Sequence, residues 1–200
     1  MTATPALPLL LRGAPVTGFT DEEFYQFCQN NPTLHIERTA THEVVIMPPA
    51  GFESSASSGD TYFHLKTWSR SYRQGRTLDS SAGYSLPDGS VLSPDASWVS
   101  PERLAQVSAA ELRGFPRLCP DFIIEVKSPS DRPNVLQAKM EQWLRNGVRL
   151  AFLIDTETET ATIYRPHQAP ETVQGFDHDL SGEPVLPGFV LSLRELRAQS

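Results

Sequence analysis

The stretch Cys119-Pro-Asp-Phe-Ile-Ile-Glu-Val-Lys-Ser128 decides how the rest of the chain is read. Phe122 to Val126 is a continuous apolar run interrupted only by Glu125, as expected of a strand buried on both faces. Alternate side chains of a strand share a face, so Ile123, Glu125 and Lys127 point one way and Phe122, Ile124 and Val126 the other. Glu125 and Lys127 then stand about 6 to 7 Å apart along that face, which leaves room for a water held by a metal ion. Two opposite charges at the end of an apolar strand are costly unless paired or used.

A Glu-x-Lys triplet alone is weak, since roughly 0.7 such triplets arise by chance in a chain of this length, and a strand end with two solvated charges is its ordinary meaning. Context strengthens it. Ser128-Pro129-Ser130 breaks the strand, and Ser93-Pro94-Asp95 lies thirty positions before Glu125, with Asp95 opening the strand-like segment Ala96-Ser97-Trp98-Val99. This is the arrangement of a PD…(D/E)xK signature. A second Pro-Asp, Pro120-Asp121, is a decoy: four residues before Glu125 it would sit about 13 Å away in an extended strand, too far to share an ion whose oxygen ligands lie at about 2 Å. Asp121 is expected at the start of the strand, at the opposite end from the site.

Outward from the motif, Leu136, Met140 and Trp143 form the stripe of a helix over Asn134 to Asn146, with Gly147 as its cap. Leu150 to Ile154 and Ala161 to Tyr164 read as strands around the polar turn Thr156 to Thr160, and the tail as one more short strand with a final helical turn. Upstream, Thr20 and Glu23 have capping-box spacing before Phe24, Phe27 and Cys28. Leu34 to Arg38 and His42 to Met47 suggest a hairpin, Gly51 to Gly59 a small-residue loop, and Pro101 to Leu112 a helix. Thr61 to Gln74 reads as a helix whose buried stripe is Thr61, Leu65, Trp68 and Tyr72. Lys66, Arg70 and Arg73 follow the same rhythm on another face, with no acidic residue between Asp60 and Asp79. A solvated face is the ordinary meaning of such a row; contact with nucleic-acid phosphates is the functional one.

Two hundred residues, 39% hydrophobic and 20% charged, describe a soluble globular chain with one well-buried core. No apolar run reaches the roughly 20 residues of a membrane span, and no basic residue precedes Ala6 to Leu11 as a secretory signal would require. Residues 1–17 are expected to form a flexible arm, and residues 18–200 one domain. The two cysteines, Cys28 and Cys119, cannot build a disulfide framework or a four-ligand zinc site, which points to a cytoplasmic protein. The net charge of −7 argues against coating DNA by bulk attraction but not against a nuclease whose acids hold metal. His178 between Asp177 and Asp179 fits a polar loop better than a metal site, and Ser128 a turn better than a nucleophile. There is no GxSxG, P-loop or HExxH.

Val44 to Gly51, Asp79 to Gly83 with Leu86-Pro87, Ser93 to Val99, Pro120 to Asp131 and Leu136 to Met140 together resemble the Uma-type restriction endonuclease family, of the PD-(D/E)XK nuclease superfamily, from about Thr20 to Leu193. The resemblance implies an α/β fold: a restriction-endonuclease-like mixed β-sheet flanked by helices, its catalytic strands a central pair, with an additional N-terminal helix and β-hairpin. It also points to Glu37 and Lys139 as auxiliary positions. The stretch Glu53 to Asp60 departs from the family pattern, which usually has Gly and Asn there.

The expected activity is metal-dependent hydrolysis of phosphodiester bonds, in DNA. Asp95 and Glu125, with the backbone carbonyl of Val126, would hold Mg²⁺ or Mn²⁺; Lys127 would orient the attacking water or stabilise the transition state. Lys139, Lys66, Arg70 and Arg73 would hold flanking phosphates, and cutting both strands would favour a homodimer. The rival is an inactive version of the same fold that binds nucleic acid or a partner protein.

Overall fold

The structure is a computed structural model and describes residues 9–11 and 18–197. In chain order the strands and helices are β1 (Leu9–Leu11), α1 (Asp21–Asn30), β2 (His35–Arg38), β3 (Val44–Met47), α2 (Phe52–Tyr72), β4 (Arg76–Asp79), β5 (Tyr84–Ser85), β6 (Val91–Leu92), β7 (Ala96–Val99), α3 (Pro101–Leu104), β8 (Phe122–Val126), α4 (Pro133–Asn146), β9 (Leu150–Asp155), β10 (Thr160–Tyr164), β11 (Glu171–Gln174), β12 (Asp179–Ser181) and β13 (Val190–Ser192), with 3₁₀ turns at Glu111–Arg113 and Leu193–Leu196.

The apolar run Phe122–Val126 is a central strand, as its lack of polar alternation requires. β8 lies inside a six-stranded sheet ordered β11-β10-β9-β8-β7-β4. It pairs antiparallel with β7 and parallel with β9, so α4 is the crossover between two parallel neighbours. Phe122, Ile124 and Val126 pack on one face with Leu65 of α2, Phe189 and Leu191. Ile123 packs on the other with Met140 and Trp143 of α4. A second sheet, β1-β3-β2-β6-β5, carries α1, whose Phe24 packs with Ile36, Val44 and Val91. The expected mixed sheet flanked by helices, with its added N-terminal helix and hairpin, is the fold observed.

Local chemistry sets the element ends. The Thr20 capping box forms: the Glu23 amide donates to Thr20 Oγ1 at 3.2 Å and the Thr20 amide to Glu23 Oε2 at 2.8 Å. α4 starts on Pro133 and ends at Gly147, whose φ of 114° places it where only glycine is unstrained. Asn146 and Gln142 donate to Asp88 Oδ2 at 2.9 and 3.0 Å, tying α4 to the β5–β6 turn.

Two expectations need correction. The stretch read as a small-residue loop, Gly51–Gly59, is largely the first part of α2, which starts at Phe52 rather than Thr61. Its packing face is Ser54, Ser57, Thr61, Leu65 and Ser69, so the early turns show no apolar period; Ser57 and Thr61 satisfy their hydroxyls on the carbonyls of Glu53 and Ser58. The helix expected over Pro101 to Leu112 stops at Leu104, because Ser108 and Glu111 form a capping box of their own and start a separate 3₁₀ turn. The expected arm over residues 1–17 lies outside the described residues except for Leu9–Leu11, which pair antiparallel with β3. No helix among the described residues is long and apolar enough to cross a membrane.

Candidate active site

β7 and β8 bring Asp95 and Glu125 together. Ala96 pairs with Ile124, so one step further along the antiparallel register Asp95 faces Glu125. Asp95 Oδ2 accepts from the Val126 amide at 2.7 Å and Oδ1 from the Ser58 hydroxyl at 3.0 Å. Burial pushes the Asp95 carboxyl above the usual aspartate range, against the pull of the Val126 amide, Lys139 and Ser58. Glu125 is only 5% exposed. Burial lifts its carboxyl to about 7; Lys139 opposes the shift, while Asp95 and Glu37 add to it.

The cation at the centre is Lys139. Its Nζ lies 2.9 Å from Glu125 Oε1, 3.1 Å from Glu37 Oε1 and 3.4 Å from the Ser93 carbonyl. Burial works against this charge, but the two glutamates outweigh it and hold the ammonium protonated. Glu37, on β2, is fixed in turn by the Ser93 amide at 2.9 Å. The indole of Trp143 donates to Glu125 Oε1 at 3.1 Å. These groups line a cleft of about 480 Å³ between the two sheets and α4, in which His35, Glu37, Asp95, Glu125 and Lys139 take part.

Lys127 is not brought to this centre. It follows the last residue of β8 beside Asp155, the last residue of β9, and its Nζ lies 3.1 Å from Asp155 Oδ2 and 3.5 Å from Glu157 Oε2. Partial burial opposes its charge, yet these carboxylates raise Lys127 above the ordinary lysine range. The expectation that Lys127 stands next to a water at Glu125 is therefore corrected: the neighbouring strand offers a nearer carboxylate. Lys66, Arg70 and Arg73 also lie off the cleft. Lys66 Nζ is 3.4 Å from the Thr77 carbonyl, and Arg73 closes α2 with a φ of 57°. Asp121, the decoy, is structural: it accepts from the Ser100 amide at 2.8 Å and pairs with Arg103 at 3.2 Å.

Two contacts to the carboxylates were not foreseen. Ser58 lies in a run of small residues with nothing to distinguish it from its neighbours. Trp143 reads as part of the α4 stripe, although a buried indole N–H needs a partner, and that was a usable signal.

The donors suit a hard divalent cation. Asp95 and Glu125 offer only oxygen, and each carboxylate oxygen keeps capacity beyond the hydrogen bonds named. Three carboxylates with one ammonium leave the floor short of positive charge. Among the described residues no group of three or more His, Cys, Asp or Glu is arranged to hold a metal.

A family model described as “Uma2: Putative restriction endonuclease” matches residues 21–194. Among solved structures, the fold is similar to that of “a putative nuclease belonging to DUF820” from Anabaena variabilis, with 20% identity and a TM-score of 0.73, over 89% of this chain and 97% of that one. No curated protein matches the chain.

Proposed function

The chain belongs to the family described as “Putative restriction endonuclease”, and on that premise we propose that it is a metal-dependent endonuclease hydrolysing phosphodiester bonds in nucleic acid, DNA in the first instance. The observation that carries this reading is the pairing of Asp95 with Glu125 on adjacent strands, with Lys139 against Glu125 at 2.9 Å.

Asp95 and Glu125 would hold Mg²⁺ or Mn²⁺. The Val126 carbonyl would be a third ligand, since in a strand it faces the same side as the Val126 amide that meets Asp95. When bound, the ion neutralises charge on the scissile phosphate and acidifies a water. Lys139 supplies the fixed positive charge beside the reacting phosphate and stabilises negative charge developing on its oxygens. Glu37 holds Lys139 in place, and Trp143 and Ser58 orient Glu125 and Asp95. In this reading Lys127 is a tie to β9 rather than a catalytic residue. Lys66, Arg70 and Arg73 have no carboxylate within ion-pair distance among the described residues and are offered as a remote phosphate contact. We place the reaction in the cytoplasm, where the free Cys28 and Cys119 stay reduced, and a homodimer is the assembly that would cut both strands of a duplex.

The test is incubation of the protein with plasmid and single-stranded DNA under Mg²⁺, Mn²⁺ or EDTA, beside Asp95→Ala. Cleavage that needs the metal and is lost in the variant is the expected result. Tight binding with no cleavage in any condition would favour the inactive module, for which the commitment of Lys139 to two glutamates is the supporting observation.

A further inference from the structure

The ammonium at the cleft floor is saturated by the protein itself. A lysine has three N–H donors, and the Nζ of Lys139 has three acceptors around it: Glu125 Oε1, Glu37 Oε1 and the Ser93 carbonyl. Its side chain is only 16% exposed. Glu125 is gripped through one oxygen, since its ion pair with Lys139 and its hydrogen bond from the Trp143 indole both fall on Oε1. Asp95 differs. Its partners are the Val126 amide and the Ser58 hydroxyl, and among the described residues no cation lies within ion-pair distance of it. Of the two carboxylates fit to hold a divalent ion, one already serves a positive charge belonging to the chain.

Glu37 stands apart from both. The Ser93 amide fixes its Oε1 at 2.9 Å, so it is held by the backbone ahead of β7 as well as by Lys139. It therefore offers the ammonium an anchored second carboxylate. Ionised, the three acids carry three negative charges against one on Lys139, and the two left over match one divalent cation. Such an ion drawn to Glu125 meets a like charge on the same carboxylate. Like charges a few ångströms apart repel even in bulk water, and more strongly in a buried site.

We infer that Lys139 is a tethered competitor for the divalent cation, its ammonium holding Glu125 in the ion's absence and left to Glu37 when the ion binds. The inference rests on the nuclease reading of the floor. It gives the two glutamates different work: Glu125 is contested, and Glu37 is the seat that keeps the lysine in the cleft. Without metal, the ammonium keeps buried carboxylates from standing unpaired. The coupling is reciprocal, so the factor by which Lys139 weakens the ion is the factor by which the ion weakens the grip of Lys139 on Glu125. One side chain thus acts in opposite directions on ion binding and on cleavage. A lysine that only braced the carboxylates would favour both.

The test is calorimetric titration of Mg²⁺ into the protein without nucleic acid, for wild type, Lys139→Met, Lys139→Gln, Lys139→Arg and Lys127→Met. Affinities are followed from about pH 7 to 9 and compared at their upper plateau, where proton competition for the carboxylates has ended. The two neutral variants at position 139 are expected to bind Mg²⁺ at least about tenfold tighter than wild type. Gln keeps a donor for the glutamates and serves if Met does not fold. Lys139→Arg keeps the charge, and the Lys127 charge is met by Asp155 and Glu157, so both are expected within about threefold of wild type. Equal or weaker binding in the neutral variants, with wild type binding Mg²⁺, overturns the inference and leaves the metal site standing. An equal gain in Lys139→Arg also overturns it, because the lost contact and not the charge would then be the cause. No binding by wild type or any variant removes the metal reading of the floor and this inference with it.

Discussion

At the open end of β8 and β9, Lys127 reaches sideways to Asp155 and Glu157; on the cleft floor, Lys139 sits between Glu37 and Glu125. Lys127 is two residues from Glu125 in the chain and Lys139 is fourteen, yet the distant lysine holds the glutamate. The difference comes from neighbours. The parallel register that pairs Val126 with Ile154 sets Asp155 beside Lys127, where the pair forms at the strand end. α4 runs back over one face of β8 and carries Lys139 to Glu125, where two buried glutamates make any other place for the ammonium worse. Proximity in sequence offers a partner; packing and desolvation choose it.

The largest effects should fall on the two carboxylates that β7 and β8 bring together at the cleft floor. Asp95→Ala and Glu125→Gln are expected to lower single-turnover cleavage by about 10³-fold or more; cleavage within a few-fold of wild type would separate these carboxylates from the chemistry. The two lysines come next. Lys139→Met should lower cleavage by on the order of 10²- to 10³-fold, and Lys127→Met by less than about threefold, its partly buried tie to Asp155 lying away from the cleft floor. The reverse order would assign the role to Lys127. In stability the same contrast holds: Lys139→Met strands two buried glutamates and should cost about 3 kcal/mol, against about 1 kcal/mol for Lys127→Met, as read by denaturant unfolding. Smaller again, Trp143→Phe and Ser58→Ala should weaken Mn²⁺ binding by about tenfold in calorimetric titration, because each releases one carboxylate oxygen.

The smallest effect is the response to pH. The Glu125 carboxyl is raised from 4.5 to about 7, so its neutral form favours the folded, metal-free protein. That contribution is complete below about 4.5 and is lost as pH rises through about 7. Mn²⁺ needs the carboxylate, so its affinity should rise through the same window. Melting temperatures with and without Mn²⁺ from pH 5 to 8 check both signs, with Lys127→Met expected to leave the profile unchanged.

Much of this contrast was legible in the residues. The unbroken apolar run Phe122–Val126 fixes a central strand, and the spacing from Asp95 to Glu125 is what an adjacent antiparallel partner needs. The start of α2 was hidden because its buried face is serine and threonine, which carry no apolar period. The direction of Lys127 was hidden for a different reason. Alternation tells which face a side chain leaves from, but not which of several charges on that face it meets, and Asp155 enters only through the pairing of β8 with β9. Glu37 and Lys139 were reached through family resemblance alone, because nothing in their local sequence separates them from surface charges.

Nuclease activity at this cleft requires one divalent cation shared by Asp95 and Glu125. Crystals soaked in Mn²⁺ and measured for anomalous scattering at the manganese edge test it most directly. The expected result is a single strong peak about 2 Å from an oxygen of each carboxylate, with Lys139 still at the cleft floor. A peak beside Asp155 and Glu157 at the Lys127 end, with none between Asp95 and Glu125, would contradict it.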